Sequence, residues 1–214
     1  MNSQATTLPA LEQPQQEIGV AISWGKLMMW LFLCSDAMSF GGLIAAYASY
    51  RITDSGPLKW PNPQDILGIT LTGIMTFILI VSSVTMVKAL AAAKNGDVKA
   101  YKRFMLFTIL GGLFFLGCQA YEWTHLITHH GAQGSVAEHG LILGHHNFAN
   151  TFFVLTGFHG AHVTGGVIYN LIMFFLGRNG RFNLEKSGPV EVAGLYWHFV
   201  DLVWILIFTF VYLI

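Results

Sequence analysis

Five long apolar segments, separated by polar ones, decide what this chain can fold into. Each has room for the roughly 20 apolar residues that a helix needs to cross a bilayer. Only 10% of the 214 residues are charged and 54% are hydrophobic, whereas a soluble domain carries about 25% charged residues. The sequence therefore predicts an all-α membrane protein with five transmembrane helices. The predicted spans are 24–50, 66–93, 102–127, 148–176 and 190–214.

Polar segments rich in glycine and proline mark the ends of these spans. Residues 51–65 include three prolines and predict an irregular loop, and the "KNGD" at 94–97 predicts a tight turn. Pro189 is a favourable first-turn residue for the last helix. Residues 1–22 are rich in Gln and Pro and contain no Lys or Arg. We therefore expect a disordered or surface-lying tail ahead of one five-helix domain, 23–214.

Lysine and arginine are distributed unequally between the two ends of the predicted helices. With a cytoplasmic N-terminus, nine of the 11 fall on the cytoplasmic side, and only Arg51 and Lys59 fall outside. The positive-inside rule then predicts a cytoplasmic N-terminus and an external C-terminus. The 11 acidic residues bring the net charge to zero, so no basic excess indicates nucleic acid as a partner.

Several ionisable side chains are predicted to lie within the spans. Asp36 is about 18 Å into the first span at ~1.5 Å per residue. A carboxylate at the bilayer centre costs at least ~2.5–3.5 kcal/mol, so such groups normally face protein, water or a partner. One economical arrangement pairs a histidine with Asp201 across the fourth and fifth spans. The ionisable residues that we predict within the spans, as a buried polar set, are Asp36, Glu122, His159, His162, His198 and Asp201.

Two roles for this buried polar set stay open at this stage. The groups could be interhelical hydrogen-bond partners that hold the bundle together. They could instead serve a proton relay, a lipid headgroup or a ligand. Small residues also follow one face of two spans, which lets helix backbones approach closely, within the chain or against another subunit. These are Ala37, Gly41, Ala45 and Ser49 in the first span, and Gly157, Ala161 and Gly165 in the fourth.

The nine histidines raise the question of metal or haem. Glu122 and His125 have the i, i+3 spacing of di-iron bundles, but such sites need a second motif and two more glutamates. His159 or His162 facing His198 could supply a haem b pair. The His-rich loop within 125–146 could bind a metal, although its spacing is irregular and a solvated loop is the simpler interpretation. We predict no catalytic residue and no metal site in the chain.

The motifs in these spans resemble those of a known family, subunit III of the haem-copper respiratory oxidases, in its five-helix bacterial form. The resemblance covers almost the whole chain after the tail. Its motifs are "MMWLFLCSDAMSFGGLIAAY", "SSVTMVKALAAAKNGD", "FLGCQAYEW", "TFFVLTGFHGAHVTGGVIY" and "LYWHFVDLVWI".

The resemblance implies a fold and a role. The fold would be two helix groups around a V-shaped cleft that holds phospholipid, in a multi-pass protein of the bacterial inner membrane. The chain would bind no haem or copper, which belong to subunits I and II. It would buttress subunit I, sustain proton uptake and protect the active site, in a complex that reduces oxygen to water and pumps protons. Subunit II, a small subunit IV or a respiratory supercomplex would be further partners.

The resemblance also assigns expectations to residues. Asp36 falls where relatives have a buried glutamate that reacts with carbodiimide, and here the acid is one methylene shorter. Some quinol-oxidising relatives look similar, so the electron donor could be cytochrome c or quinol. The other five ionisable residues fall on matching motif positions. The alternatives are an accessory subunit of a nitric oxide reductase system, a small membrane haem anchor, or a metal or proton transporter.

Overall fold

Five long helices account for almost all of the chain that the structure describes. This computed structural model describes residues 23–53, 60, 67–128, 147–178 and 188–214. All five helices are long and apolar enough to cross a membrane, which confirms the predicted all-α membrane fold. The fifth helix continues as a π-helix, Phe208–Leu213. The helices are α1 Trp24–Thr53, α2 Ile69–Lys94, α3 Val98–Thr128, α4 Asn147–Arg178 and α5 Gly188–Ile207.

A tight turn joins α2 to α3, as the "KNGD" segment predicted. Gly96 has a φ of 72°, which glycine adopts without steric cost. Asp97 caps α3, because its Oδ1 accepts hydrogen bonds from the backbone N–H groups of Lys99 and Ala100, both at 3.0 Å. The cap explains why α3 begins at Val98, before the predicted start at residue 102.

Polar contacts at the helix ends show how the helices run. Lys26 Nζ lies 2.8 Å from Glu191 Oε2, which joins the starts of α1 and α5. Arg51 donates a hydrogen bond to the Ile214 carbonyl oxygen, which joins their ends. The two helices are therefore parallel. We call the end of the bundle that holds Lys26, the α2–α3 turn and the start of α5 the basic end.

The fifth helix lies at the centre of the bundle and packs against α1, α2 and α4. Its tryptophans, Trp197 and Trp204, are fully buried. By contrast, α1 lies at the edge, with 17% of its most apolar window buried, whereas the other four spans have 33% to 44%. One side of α1 therefore has no partner within the described part of this chain.

Candidate functional site: the buried polar network

Asp36 on α1 is paired with His162 on α4. The Asp36 Oδ2 atom lies 3.1 Å from His162 Nε2, and both side chains are largely buried. The sequence suggested that a histidine pairs with Asp201, whereas in the structure His162 lies beside Asp36 and Asp201 lies beside Ser83. The difference arises because α1, an edge helix, packs against α4 at this level.

The other ring nitrogen of His162 donates a hydrogen bond to the backbone of its own helix. His162 Nδ1 lies 2.7 Å from the Phe158 carbonyl oxygen, which can only accept, so Nδ1 carries a hydrogen. Nε2 is therefore the ring nitrogen that faces the carboxyl group of Asp36, 3.1 Å from Oδ2. The two atoms are close, but their geometry is not that of a hydrogen bond.

Aromatic side chains surround this pair. The Phe40 ring lies edge-on to His162, with 5.3 Å between the centroids, and the Phe158 ring lies at 4.6 Å. Tyr196 on α5 donates a hydrogen bond of 3.0 Å to the His162 carbonyl oxygen. The rings exclude water, which strengthens the electrostatic attraction between Asp36 and His162.

His159 occupies a separate apolar cage. It is fully buried, and its ring lies 4.8 Å from Trp204 and 5.6 Å from Phe115. Within the described part of the chain, neither ring nitrogen has a hydrogen-bond partner. The residue thus packs as an aromatic ring between α3, α4 and α5, although it shares a helix face with His162.

His198 and Asp201 on α5 both contact Ser83 on α2. Ser83 Oγ lies 2.8 Å from His198 Nδ1, and its hydroxyl also lies beside the Asp201 carboxylate. A hydroxyl donates only one hydrogen, so Ser83 accepts from His198 when it donates to Asp201. This pairing joins α5 to α2, whereas the sequence analysis looked for Asp201 contacts on the fourth span.

Glu122 accepts two hydrogen bonds near the other end of the bundle. Thr72 on α2 donates to its Oε1 and Tyr212 donates to its Oε2, each at 3.0 Å. Tyr212 lies in the π-helical segment. Trp204 and Thr76 extend the contact, since the indole Nε1 donates to Thr76 Oγ1 at 2.8 Å and that hydroxyl donates to the Thr72 carbonyl oxygen at 2.6 Å. A polar network therefore joins α2, α3 and α5.

The small residues singled out in the sequence do not make the tightest contacts. A Cβ atom on Gly41 would meet nothing within 4 Å, and Ala45 is exposed on the same face of α1. On α4, a Cβ on Gly157 would lie 3.0 Å from Trp123, whereas Ala161 and Gly165 are exposed.

Two glycines that the sequence analysis missed pack closely against the Trp197 ring. A Cβ on Gly112 of α3 would lie 2.6 Å from the Trp197 ring, and one on Gly166 of α4 would lie 2.9 Å from it. Trp197 also donates from Nε1 to Ser82 Oγ on α2 at 3.1 Å. Four helices therefore meet at Trp197. The sequence contained a signal for this junction: a tryptophan four residues before Asp201, and a "GG" pair in each of the third and fourth spans.

The histidines do not come together as a ligand set in the described helices. His162 and His198 each use a ring nitrogen on a protein partner, and His159 is enclosed by aromatic rings. His125 is exposed near the end of α3, with its ring 6.2 Å from that of Tyr121. The other loop histidines lie outside the described residues: His129, His130, His139, His145 and His146.

Comparison with known proteins identifies the family of this chain. The model described as cytochrome c oxidase subunit III matches residues 15–214. The chain belongs to the cytochrome c oxidase subunit III family. This family provides the third subunit of haem-copper oxidases. Together with the five apolar helices, membership makes the chain a multi-pass bacterial membrane protein.

Relatives from several bacterial groups cover most of the chain. The chain is similar to the probable cytochrome c oxidase subunit 3 of Mycobacterium leprae, at 37% identity over 86% of this chain and 85% of the relative. It is also similar to cytochrome c oxidase subunit 3 of Corynebacterium diphtheriae, at 35% identity over 86% of this chain and 85% of the relative. A third relative is cytochrome c oxidase subunit 3 of Thermostichus vulcanus, which shares 35% identity over 88% of this chain and 86% of the relative.

Proposed function

We propose that the chain serves as the non-catalytic subunit of a proton-pumping terminal oxidase of the cytochrome c type. Haem and copper would be held by subunits I and II. This chain would buttress subunit I, sustain proton uptake and protect the complex from inactivation during turnover. A small subunit IV or a respiratory supercomplex would add further partners. Family membership supports the assignment, and the names of the relatives favour cytochrome c over quinol as the electron donor.

The main structural support for this proposal is the exposed outer face of α1. Ala37, Gly41, Ala45 and Ser49 are all exposed along it, while Asp36 and Phe40 attach the helix to the bundle from the other side. A row of small residues lets a second helix approach closely. The proposed occupant of this face is a helix of subunit I.

The experiment compares the oxidase complex with and without this chain. We expect the complex without it to start turnover normally and then lose oxygen consumption faster, with slower proton uptake from the cytoplasmic side. Adding the purified chain back should restore the lifetime. Equal lifetimes with and without the chain would contradict the proposed protective role.

The proposed orientation puts the basic end in the cytoplasm. Lys88, Lys94, Lys99 and Arg103 are exposed at this end, whereas Arg51 lies at the other. A cysteine replacing Lys99, in a chain whose two native cysteines are replaced by serine, should react with an impermeant maleimide in inside-out vesicles only. Labelling in intact cells would reverse the proposed topology.

The groove between α3 and α4 supports the proposed phospholipid site. It has a volume of ≈ 240 Å³, and its walls include Leu116, Ala120 and Gly160. Gln119, at its base, donates a hydrogen bond of 2.7 Å to the Thr156 carbonyl oxygen. None of the six ionisable residues of the sequence prediction lines this groove. The proposed V-shaped arrangement of two helix groups would have acyl chains along such an apolar wall.

A further inference from the structure

Two cations from different helices meet at one aromatic ring at the basic end. Lys88 Nζ on α2 lies 5.7 Å from the centroid of the Phe104 ring on α3, and Arg103 Cζ lies 5.1 Å from the same centroid. Both cationic side chains are exposed and Phe104 is half-buried. A ring face attracts a cation at this distance, so Phe104 favours the placement of both charges.

The two helices hold these residues in register. Thr85 Oγ1 lies 2.8 Å from Thr108 Oγ1, one turn from the ring, and Thr108 also lies 3.1 Å from the Phe104 carbonyl oxygen. Further along the interface of α2 and α3, which we call the seam, a Cβ on Gly111 would lie 2.6 Å from Ser82 Cβ. The two helix backbones are therefore in close contact. The ring and both cations are thus attached to a rigid part of the bundle.

No carboxylate of the described helices neutralises this pair. Asp97 caps the start of α3, and Glu191 binds Lys26 at the start of α5. The three buried acids have partners elsewhere in the bundle, and neither Lys88 nor Arg103 forms an ion pair within the described part of the chain. Two like charges at one ring repel each other, so an anion that contacts both is favoured there.

The depth of the pair selects the kind of anion. Lys88 lies roughly 9 Å along the axis from the end of α2 at Lys94, and Arg103 lies roughly 7–8 Å from the start of α3, at ~1.5 Å per residue. Both cations therefore lie inside the helix ends, on the lipid-facing side of the seam. At this depth the long side chains of lysine and arginine can extend toward the headgroup level of a bilayer, and basic pockets between membrane helices suit anionic headgroups.

We propose that Lys88, Arg103 and Phe104 form a binding site for the phosphodiester of an anionic phospholipid. Arg103 would bind two phosphate oxygens with its planar guanidinium, and Lys88 would add a point charge. This α2–α3 site is distinct from the proposed groove between α3 and α4. It depends on membrane insertion and on the contacts of α2 with α3, and not on the partner of α1.

The test is native mass spectrometry of the purified, delipidated complex that contains this chain, titrated with dioleoylphosphatidylglycerol. We expect the K88Q/R103Q variant to lose one tightly bound equivalent, with affinity falling roughly five-fold for each charge removed. The control is K94Q/K99Q, which removes the same charge from exposed positions near the turn, and its affinity should change by less than about two-fold. The K88R variant, which keeps the charge at position 88 and leaves Arg103 in place, should keep the site.

Three outcomes would overturn the proposal. An equal loss in K94Q/K99Q would indicate diffuse surface charge, and unchanged binding in K88Q/R103Q would remove these residues from the site. Displacement of the lipid by millimolar inorganic phosphate would assign the site to a free anion. If K88Q/R103Q does not assemble, K88Q alone and F104L provide the test instead. Each should weaken the binding of the same tightly bound phospholipid molecule.

Discussion

The carboxylate of Asp36 and the imidazole of His162 lie 3.1 Å apart across the interface of α1 and α4. The Phe158 carbonyl oxygen accepts a hydrogen bond from Nδ1 of His162, which leaves Nε2 facing Asp36. This pair is a specific polar link between the edge helix and the bundle. Its geometry makes the structural role of the two residues testable.

A double-mutant cycle measures that link. Asp36→Ala and His162→Ala should each lower the stability of the chain by about 1–3 kcal/mol, since each leaves a buried polar partner unpaired. The double variant should cost close to one single change, with a coupling energy of ~0.5–3 kcal/mol. Denaturation of the purified chain in detergent provides the comparison. Additive losses would show that the two residues do not act as a pair.

Tyr212→Phe tests the Glu122 network. The substitution removes the hydroxyl that donates to Glu122 Oε2 at 3.0 Å and leaves the ring in place. We expect a loss of about 1–3 kcal/mol, because a buried carboxyl oxygen loses its donor. Tyr50→Phe is the matched control, since Tyr50 is exposed on α1 and its substitution should be nearly neutral. A similar midpoint for both variants in thermal unfolding would contradict the network.

Glycine substitutions test the packing around Trp197. Gly112→Ala should destabilise the chain by about 1–3 kcal/mol, because the new methyl group would lie 2.6 Å from the indole ring. Gly117→Ala on the same helix adds a methyl group that meets nothing within 4 Å. It should be neutral or stabilising by up to ~1 kcal/mol, since alanine favours the helix. The reverse order of thermal midpoints would argue against this packing.

The Lys26–Glu191 pair should contribute little. Its side chains are 32% and 29% exposed, and exposed ion pairs are typically worth about 0–1 kcal/mol. Lys26→Gln should therefore lower the melting temperature only slightly, and the small difference from wild type should vanish as salt screens the charges. A large loss that persists in high salt would mean that the pair is needed to place α1.

Hydropathy was sufficient to predict the five helices because a membrane span is a local property of about 20 residues. The partners of the buried groups were not predictable in this way. Asp36 was recognised as deep, but its partner is on the fourth helix, and pairing depends on which helices meet. Ser83 and Thr72 carry no charge and were missed, although Ser83 contacts His198 and Asp201 and Thr72 donates to Glu122.

The small residues show the same limit. Gly41 and Gly112 look alike in sequence, yet one lies on an open helix face and the other against the Trp197 ring. Spacing alone identifies a smooth helix face and does not say what covers it. The roles of Gly157, Ala161 and Gly165 therefore stay predictions, as do those of the loop histidines.

Co-purification is the most direct test of the central claim, that this chain docks on a haem-bearing subunit through the outer face of α1. The chain is extracted in mild detergent, and its partners are measured by visible spectrum and mass. We predict a Soret band and a large haem-bearing subunit with the wild-type chain. Gly41→Leu should lose both, while Gly117→Leu, which fills equally open space on α3, should keep them. A chain that is recovered alone and colourless would contradict the claim.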